Sequence, residues 1–132
     1  NIQTLSAIEY GLKVLKIQNL IILGHSNCGG VEYSYKTLLD KKNINDFEYI
    51  NQWVSSLQKS HNNIPNNFSE TEKITYLEQE NIKQSIKNLC EYDFVDKLIN
   101  ENKLNVIGLW YQINSGLIKY LDNNSFVSLD YL

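Results

Sequence analysis

The apolar run Leu20-Ile21-Ile22-Leu23 leads directly into Gly24-His25-Ser26-Asn27-Cys28-Gly29-Gly30, and no other stretch restricts the folding options of this chain as much. Four unbroken aliphatic residues between turn formers read as a strand buried on both faces, as in a parallel sheet. Helical periods surround that strand. Leu5, Ile8, Leu12 and Leu15 recur at three- and four-residue steps and predict an amphipathic helix, with Ser6 and Glu9 spaced as a capping box. A helix is expected over Val31 to Leu39, then a polar link over Lys41 to Asp46. Phe47, Ile50, Val54 and Leu57 again keep helical spacing, and His61 to Glu70, with the single proline Pro65, reads as a loop. A long helix is predicted over Thr71 to Leu89 and a shorter one over Phe94 to Ile99. Leu104 to Trp110 reads as a second strand, Asn114-Ser115-Gly116 as a turn, and Leu117 to Leu121 as its hairpin partner. Asp122 to Ser125 turns the chain once more before Phe126 to Leu129. Helices alternating with buried strands predict an α/β fold, a mainly parallel sheet flanked by helices, in one domain over residues 1–132.

Ligands of open α/β sheets bind beyond the carboxyl ends of strands, which is where His25 and Cys28 fall. An imidazole and a thiolate three residues apart in a tight loop suit zinc, which prefers nitrogen and sulfur donors in tetrahedral geometry. Spacing alone favours a partly buried histidine and an inert small cysteine over a ligand pair. Strand-end placement and the glycines bring the two readings level. Other motifs fail on detail. A phosphate loop needs Lys where Gly30 stands. A nucleophile elbow centred on Ser26 needs Gly where Cys28 stands. A Cys28 nucleophile with His25 as base has no third group in sight to orient the ring.

Net charge is −3, so no basic field invites nucleic acid or anionic lipid. No apolar run approaches the roughly 18 residues of a membrane span. The two cysteines, Cys28 and Cys90, give no disulfide framework, and a reducing cytoplasm is expected, with another compartment left open. His61, in its polar loop, reads as solvated; Glu70, Glu72, Glu78 and Glu80 read as an exposed helix face; Trp53 and Trp110 read as core. The chain starts at Asn1 and contains no Met, so it is expected to be trimmed from a longer protein.

Beyond single motifs, four blocks stand in a recognisable order. Ser6-Ala7-Ile8-Glu9-Tyr10 and Val14-Leu15 lead to Leu20 through Val31; Trp53 follows; then come Glu80-Asn81-Ile82, Gln84, Asn88 and Leu89, and last Gly108, Tyr111, Ile113 and Gly116. Together, from about Leu5 to Phe126, these resemble the β-class carbonic anhydrases. The resemblance implies a β-carbonic anhydrase-like fold lacking its N-terminal part, and zinc-dependent reversible hydration of carbon dioxide to bicarbonate and a proton through zinc-bound hydroxide. His25 and Cys28 would be two metal ligands. The family's third ligand, a cysteine, and its Asp–Arg dyad belong to a C-x-D-x-R segment upstream of the first helix, and nothing here matches it, so no catalytic residue is assigned. The resemblance implies one zinc per complete subunit, weak binding and little turnover for these 132 residues alone, an exposed edge on the Leu20–Leu23 strand, and a homodimer or larger homo-oligomer. Two non-catalytic alternatives stay open: an assembly module, or a metal-free small-anion binder using the helix N-terminus after Gly30.

Overall fold

The computed structural model describes residues 1–40 and 47–129, with only the backbone of Leu39 and Asp40. The polar link expected over Lys41 to Asp46 lies outside the described residues. The elements run α1 (Ile2–Lys13), β1 (Asn19–His25), α2 (Gly29–Asp40), α3 (Glu48–Ser56), α4 (Gln58–Asn62), α5 (Glu70–Cys90), α6 (Asp93–Asn100), β2 (Asn105–Tyr111), β3 (Ile118–Asp122) and β4 (Ser125–Ser128). The strands form one sheet in the order β1-β2-β3-β4.

The α/β class and the helix-flanked sheet follow the sequence reading, but the mainly parallel sheet does not. Only β1 and β2 are parallel, with Leu20 opposite Val106 and Gly24 opposite Trp110; β2–β3 and β3–β4 are antiparallel. Connection length is the cause. A parallel return needs a crossover of about a dozen residues or more, and only the stretch between β1 and β2 is that long. Asn123 and Asn124, with φ of 42° and 71°, close the β3–β4 hairpin as a two-residue turn whose twist suits antiparallel strands.

Strand β1 is not buried on both faces. Leu20, Ile22 and Gly24 turn inward, whereas Ile21 is 53% and Leu23 63% exposed. Helix α5 packs on the inward face of β1, and among the described residues β2 is the only strand paired with it. Among those residues the other edge of β1 is open, as expected.

Helix α1 begins earlier than its periodicity indicates. Asn1 is the N-cap, its side-chain oxygen accepting from the Gln3 N–H at 2.8 Å, while Ser6 sits inside the helix and donates to the Ile2 carbonyl at 2.8 Å. The reciprocal capping box occurs at α5, between Ser69 and Glu72.

Two apolar clusters flank α5. One joins Leu12, Leu89, Val95 and Leu104 with the inward side chains Leu20 and Ile22 of β1. The other joins Val31, Tyr35, Leu57 and Leu77, with Cys28 packed against it. Between them α5 lies directly on the sheet. A β-carbon at Gly24 would fall 2.6 Å from both Cγ1 and Cδ1 of Ile82, and one at Gly108 would fall 3.2 Å from Ile82 Cγ2. Glycines on neighbouring strands thus open the trench that seats Ile82. Among the described residues no helix is long and apolar enough to cross a membrane.

Candidate metal centre

His25 ends β1, and the alternation of the strand puts it on the same outward face as Ile21 and Leu23. Its Nδ1 lies 2.9 Å from the Ser26 carbonyl oxygen. A carbonyl oxygen only accepts, so Nδ1 is engaged as a donor and Nε2 is the ring nitrogen available to a metal. A backbone carbonyl on one ring nitrogen is the usual way a metal-binding histidine has its tautomer and orientation set.

Residues 26–28 are anchored from two sides. The Ser26 N–H donates to the Tyr111 carbonyl at 2.8 Å, extending the β1–β2 ladder one step past the strand. The Ile113 N–H donates to Ser26 Oγ at 2.9 Å, and Asn27 Nδ2 donates to Asn114 Oδ1 at 3.3 Å. Asn27 has φ of 57°, a left-handed conformation that asparagine tolerates better than most side chains. The Cys28 carbonyl accepts from the Glu32 N–H at 2.9 Å, so Cys28 opens α2.

Glu78 of α5 supplies the second anchor. Oε1 accepts from the Cys28 N–H at 3.0 Å, and Oε2 accepts from Trp110 Nε1–H at 3.3 Å. Glu78 is 4% exposed, which corrects its expected place on a solvated face. Burial pushes its pKa above the usual carboxylate value, against the opposing pull of the Cys28 and Trp110 donors, of nearby His25 and of the Asn27 backbone. A sequence signal existed. Glu78 stands four residues from both Ile74 and Ile82, on the inward stripe of α5.

Cys28 is a free thiol, half-buried, with its side chain against the Val31–Leu77 cluster. His25 and Cys28 suit zinc in kind, one nitrogen and one sulfur donor, and the orientation of His25 suits it too. They do not complete a site by themselves. Among the described residues no group of three or more His, Cys, Asp or Glu side chains is placed to hold a metal ion.

Two other expectations change. His61 is not solvated: it lies in α4, half-buried, with its ring 5.9 Å from that of Tyr35 and Nε2 buried without a partner. Trp110 is core at 3% exposure, but Trp53 is 39% exposed, its ring lying over Gly30. Cys90 closes α5, half-buried, and burial raises its pKa.

The family model described as "Carbonic anhydrase" matches residues 1–118. A carbonic anhydrase of Helicobacter pylori is 32% identical over 124 residues, covering 89% of this chain and 55% of the relative. The chain therefore spans about half the length of the curated relatives it matches. The solved β-carbonic anhydrase CcaA shares the fold at a TM-score of 0.80 and 24% identity, over 96% of this chain and 57% of that one. One of two tetrameric β-carbonic anhydrases of the ascomycete Sordaria macrospora reaches a TM-score of 0.74 at 28% identity, covering 92% of this chain and 60% of that one.

Proposed function

The chain belongs to the β-carbonic anhydrase family, and from that premise we propose that the protein carrying it catalyses reversible hydration of carbon dioxide to bicarbonate and a proton. His25 and Cys28 serve as two of the protein ligands of a zinc ion. The observation that carries this reading is the Nδ1–H bond from His25 to the Ser26 carbonyl, which leaves Nε2 as the ring nitrogen available to a metal at the carboxyl end of β1. When bound, zinc supplies Lewis-acid activation of water, lowering its pKa to about 7.

The chain's own residues do the rest of what can be derived. His25 offers Nε2, its Nδ1 being engaged with the Ser26 carbonyl. Cys28 must shed its thiol proton on binding, which makes affinity pH-dependent. The anchors on residues 26–28 hold both in register. Ile21 and Leu23, exposed beside His25, offer an apolar approach to a non-polar gas. Three protein ligands are the usual complement of catalytic zinc. The remaining ligand is proposed to be the cysteine of a C-x-D-x-R segment outside residues 1–132, with the aspartate and arginine of that segment acting on the water. These 132 residues alone then hold zinc weakly. Assembly as a homo-oligomer, in a reducing compartment such as the cytoplasm, completes the proposal; the uncovered face of β1 and the two unpaired thiols support it.

The small-anion alternative meets a specific obstacle. The Cys28 N–H at the start of α2 already donates to an internal anion, Glu78. Zinc content and stopped-flow hydration of the full-length gene product test the enzyme reading. About one zinc per subunit with turnover is expected, and Cys28→Ser or His25→Asn is expected to lose both. A full-length protein with neither zinc nor turnover overturns the reading in favour of an assembly module.

A further inference from the structure

Glu78 needs an explanation that the core does not give. A leucine at position 78 would continue the inward stripe of Ile74, Leu77 and Ile82 and would bury no charge. A buried carboxylate without strong partners is costly. Both hydrogen-bond partners of Glu78 are N–H donors, and one is the backbone of Cys28, in the loop between β1 and α2. The other, Trp110 Nε1–H, comes from the residue opposite Gly24 in the β1–β2 register. The carboxylate also lies at the N-terminal end of α2, where the helix dipole favours a negative charge.

We infer that Glu78 is a positioning residue for the metal ligands: its carboxylate bridges α5, β2 and the 27–28 backbone, and so fixes the direction in which Cys28 presents its sulfur. This inference rests on the zinc reading above. Its geometry is direct. The bond at 3.0 Å is made by the N–H of the ligand residue itself. Holding that N–H sets the Asn27–Cys28 peptide plane, and with it the Cα–Cβ direction of Cys28. It also supports the left-handed Asn27, which without outside contacts would relax toward a commoner conformation. Two N–H donors meet the two oxygens, one on each, so the arrangement suits a carboxylate and not an amide.

The test uses the full-length protein, with zinc affinity measured by chelator competition. Glu78→Gln offers one acceptor oxygen and an NH2 group to two N–H donors, so one donor is left facing another. Zinc affinity is expected to fall about 10- to 100-fold, the usual cost of losing a group that orients a ligand. In the cobalt-substituted protein the thiolate-to-metal charge-transfer band is expected to shift or weaken, which a loss of stability alone would not cause. Adding Trp110→Phe to Glu78→Gln removes one of the competing donors and is expected to restore at least about threefold of the affinity. A measurement on the unaltered protein covers the case in which the variants do not fold: the Cys28 amide proton is expected to exchange slowly with solvent. If unaltered protein binds zinc and Glu78→Gln binds it within about twofold, or if the Cys28 amide exchanges freely, the assignment of Glu78 is overturned while the enzyme reading stands. If the unaltered protein binds no zinc, the enzyme reading falls, and this inference with it.

Discussion

Gly24→Ala is the sharpest perturbation of this architecture, because one methyl group tests both the packing and the site. The new β-carbon would stand 2.6 Å from Cγ1 and Cδ1 of Ile82, where ordinary contacts begin at 3.4 Å. Rotating Ile82 about χ2 moves Cδ1 but leaves Cγ1 in place. Turning χ1 drives an arm toward Gly108, where Cγ2 already approaches a built β-carbon position to 3.2 Å. The remaining relief is for α5 to lift from β1 by roughly 1 Å. Overpacking of this kind costs about 1–3 kcal/mol, and the entropic gain of alanine over glycine returns about 0.4–1 kcal/mol. A net loss of about 1–2 kcal/mol is therefore expected, measured by urea denaturation of metal-free protein at fixed concentration. The partner substitutions separate mechanisms. Ile82→Val keeps a carbon at the Cγ1 position, so the clash persists in Gly24→Ala/Ile82→Val. Ile82→Ala removes it, so Gly24→Ala/Ile82→Ala is expected to be more stable than the sum of its parts by about 1–2 kcal/mol. Glu78 stands one turn before Ile82. A 1 Å lift would stretch its 3.0 Å bond to the Cys28 N–H beyond hydrogen-bonding range, so zinc affinity falls together with stability. A coupling below about 0.5 kcal/mol, the scatter expected of independent sites, would refute the seating of α5 on Gly24.

Two further outcomes are expected. Burial lowers the pKa of His61 below its ordinary 6.5, so the unfolded chain binds a proton more readily than the fold does. The stability contributed by neutral His61 is complete above pH 6.5 and declines as the pH falls below it, and the difference between the unaltered protein and His61→Phe in urea midpoints at pH 7.5 and 5.5 reads that slope. Ser69→Ala removes the N-cap of α5 and is expected to cost about 1 kcal/mol in the same assay; the equivalent change at Ser6, which sits inside α1 and only donates back to Ile2, is expected to stay within about 0.5 kcal/mol.

The contrast between Ser6 and Ser69 shows what local pattern reading can and cannot reach. Both are followed three residues later by glutamate, and pattern alone does not rank them. The difference lies in where the helix starts, which Asn1 decides for α1 and the Pro65–Ser69 loop decides for α5. His25 and Cys28 stand out in the sequence as candidates because their chemistry is concentrated in seven consecutive residues, Gly24 to Gly30. Glu78 was not read, because its meaning depends on a loop 50 residues earlier in sequence and an indole 32 residues later. Its position on the Ile74–Ile82 stripe was visible, but a charged residue on an apolar stripe signals a site only once its donors are known. The antiparallel half of the sheet was legible as hairpins; the parallel half was overextended from the single strand whose apolar run suggested it. That same run concealed the exposure of Ile21 and Leu23, since four aliphatic residues in sequence look alike whether one face is covered or two.

The exposed face and the candidate site obey the same geometry. Alternation along β1 hides Leu20 and Ile22 under α5 and sends Ile21, Leu23 and His25 to the opposite side. Burying the exposed parts of Ile21 and Leu23 would contribute about 1 kcal/mol or more for each, so this face gains from being covered. Whatever covers it necessarily approaches His25 as well. Covering also excludes water from the surroundings of His25, which strengthens electrostatic interactions there. The inward side of the site, by contrast, is already finished: Glu78 and Trp110 hold the loop from beneath with buried hydrogen bonds. The strand therefore divides the work, with the orientation of the ligands set within this chain and the closing of the site coupled to the burial of its outer face.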